Sequence, residues 1–270
     1  MAAFLHEHLN RRVARGAWEQ AIRVPWAVDA PNHGFLLEVD GAVVGAYIAF
    51  YSERVIDGRP ERLCNLGAWC VVPELRFRGL QLLKALLAQP GYTFTDLSPS
   101  GAVVPLNTRL HFEFLDTTTA IVPLLPWPTG RGGLRVTSDP TELERRLTGA
   151  DRQLYRDHVG AAAARHLLVE ADDEQCYVMY RRDRRKRMPL FVSILHVSDP
   201  DVFHRASRKV WRHLLLRERA VACLAELRVV QHRPRPSVVV EPNRRKMFRS
   251  AHLQAAQIDY CYSELVCVSW

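Results

Sequence analysis

The chain has 270 residues, 48% of them hydrophobic and 24% charged, with a formal net charge of +8; that suits one large or two medium domains with a substantial core. No apolar run approaches the ~20 residues of a membrane span, the N-terminal residues lack the basic-then-apolar order of a secretory signal, and the six cysteines (64, 70, 176, 223, 261 and 267) form no CxxC pair and no zinc-type His/Cys spacing. We therefore expect a cytoplasmic protein with reduced thiols, no membrane contact and no metal.

Leu5, Leu9, Val13, Ala17 and Ala21 recur at helical spacing, which predicts one amphipathic helix over Phe4 to Arg23, ended by Pro25. Pro31-Asn32-His33-Gly34 is a loop. Phe35 to Val39 and Val43 to Tyr51 read as strands joined by the two-residue hairpin signal Asp40-Gly41. Asp57-Gly58 is a second turn signal, and Arg62 to Val72 is the next strand. Pro73 stops ladder pairing because it has no N–H. Arg76-Phe77-Arg78-Gly79 follows, and then an amphipathic run with leucines at 80, 82, 83, 86 and 87 on one broad helical face. A helix start beside two arginines can hold phosphate, because its N–H groups and dipole present positive charge. The plain alternative is a βα unit with an exposed basic turn.

Tyr92 to Leu97 predicts a strand, Ser98-Pro99-Ser100-Gly101 a turn, Ala102 to Leu110 a helix, and Phe112 to Leu125 one or two closing strands. Pro126 to Gly133 is rich in Pro and Gly and reads as a linker. Beyond it we expect helices over Pro140 to Leu147 and Asp151 to Leu168, and strands over Cys176 to Tyr180 and Met188 to Val197. A long helix from Asp199-Pro200 to Arg219 should bury Val202, Phe203, Ala206, Val210 and Leu214. Further strands are expected over Val221 to Val230, Ser237 to Val240 and Tyr260 to Val268. Residues 1–133 carry 12 Lys+Arg and 12 Asp+Glu, so the whole surplus falls on residues 134–270. Arg181 to Arg187 is its densest run. It is a solvated loop or a landing site for something acidic. No motif that reads nucleic acid accompanies it.

The stretch Val71-Val72-Pro73-Glu74-Leu75-Arg76-Phe77-Arg78-Gly79-Leu80-Gln81 resembles the acyl-CoA site of the GNAT superfamily of N-acetyltransferases, whose pattern is Val-x-Pro-x-x-Arg-x-x-Gly-x-Gly/Ala between a strand and a helix. Gln81 departs from the small residue of that pattern. The piece Gly34 to Gly45 resembles the family's hairpin, and Arg109-Leu110-His111-Phe112 its late segment, with His111 in place of a usual Gly. The resemblance covers residues 4 to 125. It implies an α/β (α+β) fold with a mixed, mostly antiparallel sheet flanked by helices. We expect a CoA-binding domain over 1–127 and a basic domain over 128–270, which resembles a degenerate second GNAT-like half and would shape the acceptor site.

The resemblance also implies an activity: an acyl-CoA-dependent N-acyltransferase that moves acetyl from acetyl-CoA to a primary amine by direct attack. Backbone near Cys70 and Val71 would hold the pantetheine arm. N–H groups of Phe77, Arg78, Gly79, Leu80 and Gln81, with Arg76, would hold the pyrophosphate, and Ser98 and Ser100 begin the second cofactor segment. Three residues are candidates for acid–base work. Asn65 would orient a water, or is a satisfied polar residue at a strand bulge. Asp96 would deprotonate the amine, or caps the Ser98–Gly101 turn. His111 would be base or acid, or is structural. Asn107 stands where many members carry a tyrosine that protonates the leaving thiolate. Cys64 and Cys70, evenly spaced on one strand, should share a face; no histidine is placed beside them for a covalent route. Expected partners are a small-molecule or peptide amine, acidic or phosphorylated, or an acyl carrier protein. The rival readings are a catalytically inactive CoA-binding regulatory protein of the same descent, and acyl transfer from a carrier protein.

Overall fold

A computed structural model describes residues 1–128, 133–185, 188–241 and 244–269. Two helices, α1 (Ala2–His8) and α2 (Arg15–Ile22), replace the single helix expected over Phe4 to Arg23. The break has a local cause. The Asn10 side chain accepts the Arg12 N–H at 3.1 Å, an Asx turn that competes with the helical ladder.

Strands β1 (Gly34–Val39), β2 (Ala42–Ile56) and β3 (Arg59–Val71) form a meander. Both hairpins turn on two left-handed residues, Asp40-Gly41 (φ 52° and 78°) and Asp57-Gly58 (φ 49° and 77°), the geometry that matches strand twist. A 3₁₀ stretch, Pro73–Arg78, leads straight into α3 (Gly79–Leu87). Then come β4 (Thr93–Asp96), α4 (Val103–Arg109) and the short β5 (Glu113–Phe114).

The chain continues through β6 (Thr119–Pro123), β7 (Leu134–Thr137), α5 (Pro140–Arg146), α6 (Gly149–His158), β8 (Arg165–Ala171), β9 (Glu174–Arg185), β10 (Met188–Val197), α7 (Pro200–Glu218), β11 (Ala222–Glu226), α8 (Leu227–Val230) and β12 (Val238–Val240). It ends with β13 (Met247–Arg249) and α9 (Glu264–Cys267).

These elements form two compact units, 1–115 with 244–270, and 116–243. The division therefore does not fall after residue 127, and the C-terminal residues return to the first unit. Sheet order explains why. The first sheet runs β1-β2-β3-β4-β13-β5 and the second β12-β6-β11-β10-β9-β8-β7. Strand β6, expected to close the first half, pairs instead with β11 and β12. The place beside β4 is taken by β13, which also pairs with β5. All pairs are antiparallel except β3 with β4 and β10 with β11, so the sheets are mixed and mostly antiparallel as expected. Each unit repeats one theme: a meander, a helix (α3 or α7), and a strand parallel to the last of the meander.

Three further expectations are corrected. The helix expected over Asp151 to Leu168 stops at His158, before Gly160, and its second part is strand β8. Val221 to Val230 is a strand only to Glu226. Tyr260 to Val268 is not a strand; Ser263 caps α9 there by accepting the Leu265 N–H at 3.2 Å. Dividing the charges by unit gives the first 15 Lys+Arg and 13 Asp+Glu, or +2, and leaves +6 for the second. Arg181 to Arg185 of the basic run end strand β9 and are not a loop, and Arg181 is buried; Lys186 and Arg187 lie outside the described residues.

In the first unit, Leu82, Leu83 and Leu86 of α3 pack with Tyr47, Tyr51, Cys64, Leu66, Phe94 and Met247. In the second, α7 buries Val202, Phe203, Ala206, Val210, Trp211 and Leu214. No described helix is long and apolar enough to cross a membrane.

Candidate active site

Strand β3 and its surroundings hold the acid–base candidates Asn65 and Asp96 and lead to the basic turn. Its ladder with β4 covers only Leu63 to Asn65 against Thr93 to Thr95, yet β3 runs on to Val71. Strand β4 ends at Asp96, which leaves β3 from Leu66 to Val71 without a β4 partner. Opposite β2 the register slips: Ile48 faces Gly67 and Tyr47 faces Trp69. Ala68 is the extra residue, with a left-handed φ of 56°. Such a bulge increases local twist and re-aims the strand. It also resets the alternation of faces. Cys64 pairs with Tyr51 and Cys70 with Ala46, partners an odd number of residues apart, so the two cysteines face opposite sides and not one. Burial pushes the Cys64 thiol up, and the Cys70 thiol too, with the Arg76 charge pulling the latter back. Neither is poised as a thiolate nucleophile.

The turn after β3 differs from an open cradle. Arg76 and Phe77 are exposed, Arg78 and Leu80 half-buried, and Gln81 exposed. The Gly79 N–H is bonded to the Arg76 carbonyl, so it is committed before any ligand arrives. Gly79 is helical at φ −55°, so conformational freedom is not why it is glycine. A Cβ there would lie 3.2 Å from both the Trp69 ring and the Val71 side chain, and Trp69 itself is stacked on Tyr47 (4.8 Å, 6°). Gly79 thus lets α3 sit close on β3, and Trp69 is a packing residue between Tyr47 and the helix.

The two helices that follow the meanders begin differently. No side chain caps α3 and its first turn holds no acid. In α7, Asp199 accepts the N–H groups of Asp201 and Val202 at 3.0 and 2.9 Å, and Asp201 adds a second carboxylate. An anion meets, in the first unit, a helix wound on from a 3₁₀ turn with Arg76 and Arg78 beside it, and in the second a helix start filled by acids.

At the end of the β3–β4 ladder a buried polar cluster is built. Asp96, 4% exposed, accepts from Asn107 Nδ2 at 2.8 Å. Asn65 Nδ2 donates to Thr95 Oγ1 at 3.0 Å, and its Oδ1 accepts the Glu264 N–H at 3.0 Å. Ser98 Oγ donates to Glu264 Oε1 at 2.7 Å. Burial first, and then the Glu264 charge, push the Asp96 carboxyl up to about 7, against the Asn107 amide and the Ser98 N–H. Burial and the charges of Asp96, Cys64 and Glu264 push the Tyr47 phenol up as well.

The structure thus brings Asn65, Asp96 and Ser98 together. Asp96 also accepts the Ser98 backbone N–H, the capping role left open by the sequence. Ser100 is exposed, and its carbonyl accepts the N–H groups of Val103 and Val104 at 2.9 and 3.2 Å, which starts α4. His111 is exposed and outside the cluster. Its φ of 63° and its N–H bond to the Thr108 carbonyl (3.1 Å) close α4, which explains why a Gly suits that place.

Sequence reasoning missed Glu264. Its one signal is that no other charge follows Asp259, so a lone carboxylate stands in an apolar run.

No family model matches the chain, and no curated protein sequence does. Solved structures do. A GCN5-related N-acetyltransferase from Anabaena variabilis superposes with a TM-score of 0.55 at 12% identity, over 92% of this chain and 69% of that one. A conserved protein of unknown function from Enterococcus faecalis V583 gives 0.58 at 14%, over 94% and 70%. A candidate acetyltransferase from Pyrococcus horikoshii gives 0.54 at 15%, over 98% and 90%. At such identities the likeness is one of fold, and the chain has the fold of the GCN5-related N-acetyltransferases.

Proposed function

We propose that the protein is an acyl-CoA-dependent N-acyltransferase that moves an acyl group, acetyl in the simplest case, to a primary amine. The single observation that carries this reading is that the β3–β4 ladder ends at Asn65 while β3 runs on, past the Ala68 bulge, to the basic turn at Arg76 and Arg78. Beyond Asn65 the edge of β3 can pair with the amide groups of a pantetheine arm, as an added strand does. The path leads to Arg76 and Arg78 at the 3₁₀ turn before α3, whose guanidinium groups suit a pyrophosphate.

Asp96 ends β4 beside the end of that ladder. A carboxyl poised near neutrality is suited to take a proton from an ammonium group, directly or through water. The freed amine attacks the thioester carbonyl, the C–N bond forms, the C–S bond breaks, and the CoA thiolate leaves to be protonated. Asn107, lacking an acidic proton, is not an acid for that last step, so solvent is the proton source in this scheme. The same lack favours a second reading, in which CoA binds and no transfer follows. Release of free CoA thiol from acetyl-CoA with a panel of amines, and mass analysis of the products, tests the proposal; thiol release that no amine accelerates, with CoA still bound, supports the second reading.

A further inference from the structure

The side chain of Phe77 has no part in the scheme above, which uses the arginines on either side of it. At 75% exposure it is the most exposed large hydrophobic side chain among the described residues. A single exposed apolar residue needs no explanation. Three further features set this one apart. The first is its mount, because the turn that carries it is tied down at both ends. Before it, the Val72 N–H donates to the Val44 carbonyl at 2.9 Å and the Leu75 N–H to the Val72 carbonyl at 3.0 Å. After it, the Gly79 N–H is bonded to the Arg76 carbonyl, and Gly79 is buried close to Trp69 and Val71. A ring on a fixed backbone loses little freedom when a ligand stacks on it.

The second feature is its company. Neither Arg76 nor Arg78 forms an ion pair with a carboxylate among the described residues, and the one acid of the turn, Glu74, is exposed. The third is the surroundings of the ring. The Arg78 guanidinium carbon lies 5.9 Å from its centroid, within cation–π reach, and no other described aromatic ring packs on it. Most of the ring is left to solvent. An exposed ring between two unpaired cations suits a ligand that is planar and aromatic at one point and anionic at the next. A nucleotide is such a ligand: its base stacks on an aromatic face, and its phosphates take guanidinium groups. Consecutive Cα atoms are about 3.8 Å apart, so base and phosphates held here belong to one molecule.

We propose that Phe77 is the stacking platform for the adenine base of acyl-CoA, and so the residue that makes the protein choose a nucleotide-bearing acyl donor. This deepens the acyl-CoA reading and rests on it. The turn holds the nucleotide end of the donor, and β3 holds its arm. The phosphopantetheine arm of a carrier protein brings no base, so the platform favours CoA over a carrier protein as donor.

The test is a binding measurement on the full chain with two probes: acetyl-CoA, and acetyl-phosphopantetheine, which keeps the thioester arm and a phosphate but has no base. Calorimetry follows both with the wild type, Phe77→Ala and Phe77→Trp. The ring is exposed, so Phe77→Ala should fold, and thermal unfolding checks that it does. Phe77→Ala should bind acetyl-CoA at least about fivefold more weakly than the wild type and bind acetyl-phosphopantetheine as the wild type does. Phe77→Trp offers a larger stacking face and should keep the wild-type affinity for acetyl-CoA. Its added indole emission should be quenched by acetyl-CoA and not by acetyl-phosphopantetheine. Equal binding of acetyl-CoA by the wild type and Phe77→Ala overturns the platform and leaves the acyl-CoA reading standing. An equal loss for both probes makes the ring a support for the turn and also overturns the platform. No binding of acetyl-CoA by the folded wild type overturns the platform and contradicts the proposed function with it.

Discussion

Replacing Asp96 by Asn should make the protein more stable at neutral pH, and the gain should depend on pH. The Asp96 carboxyl is raised from an ordinary 3.8 to about 7, chiefly by burial. Between those values the native state holds a proton that the unfolded state has released, so stability falls as pH rises from about 4 to about 7 and is level beyond. A difference of about 3 pH units at 1.36 kcal/mol each puts the cost of the ionised wild-type carboxyl at roughly 4 kcal/mol at pH 8. At pH 5 the same linkage gives about 1.5 kcal/mol. Asn keeps the size of the side chain and can still bond with Asn107 and the Ser98 N–H, and it has nothing to ionise. The stability of Asp96→Asn minus that of wild type should therefore grow by roughly 2.5 kcal/mol between pH 5 and pH 8. Urea unfolding at several pH values measures it. A difference that stays constant across that range refutes the raised carboxyl and with it the case for Asp96 as a base.

Other expectations follow from single positions. Gly79→Ala should cost about 1–3 kcal/mol by overpacking, because its Cβ would press on Trp69 and Val71 at 3.2 Å and the stacked indole has little room to move; thermal unfolding reads this. His111→Gly should leave acyl transfer unchanged and stabilise the protein by about 1 kcal/mol, since it removes a left-handed non-glycine residue; a drop in kcat would restore His111 as a participant. Replacing Arg184, Arg185 and Arg187 by Ser should raise KM for an acidic acceptor at low salt and leave acetyl-CoA affinity unchanged; salt-independent kinetics with an unchanged KM would remove the run from acceptor recruitment.

Features with a local cause were legible before the fold was known. Asp40-Gly41 and Asp57-Gly58 announce their hairpins because only a few residue types accept two successive left-handed conformations. The apolar face of α7 is a period that sequence displays directly. The turn from Val71 to Gly79 could be placed between strand and helix, although not the 3₁₀ winding that commits the Gly79 N–H.

What escaped reading is non-local. The exchange by which β6 joins the second sheet and β13 the first depends on pairings between distant short segments, Thr119–Pro123 and Met247–Arg249, whose residues would suit either sheet. The domain boundary moved with them. Glu264 was hidden for the same reason: its meaning lies in Asn65 and Ser98, 199 and 166 residues away. Ala68 shows a third limit. A bulge adds one residue without a composition signal, and that one residue turned the expected shared face of Cys64 and Cys70 into opposite faces.

The central claim is that acyl-CoA lies along β3 beyond Asn65 and ends at Arg76, Arg78 and the start of α3. Isothermal titration of acetyl-CoA into the full chain, beside the Arg76→Glu/Arg78→Glu variant, tests it most directly. Both side chains reach solvent, so the reversal leaves the core intact while opposing the pyrophosphate. The account predicts saturable one-site binding by the wild type and at least a tenfold weaker affinity in the variant, about 1.4 kcal/mol or more. No binding by the folded wild type, or equal binding by both proteins, would contradict it.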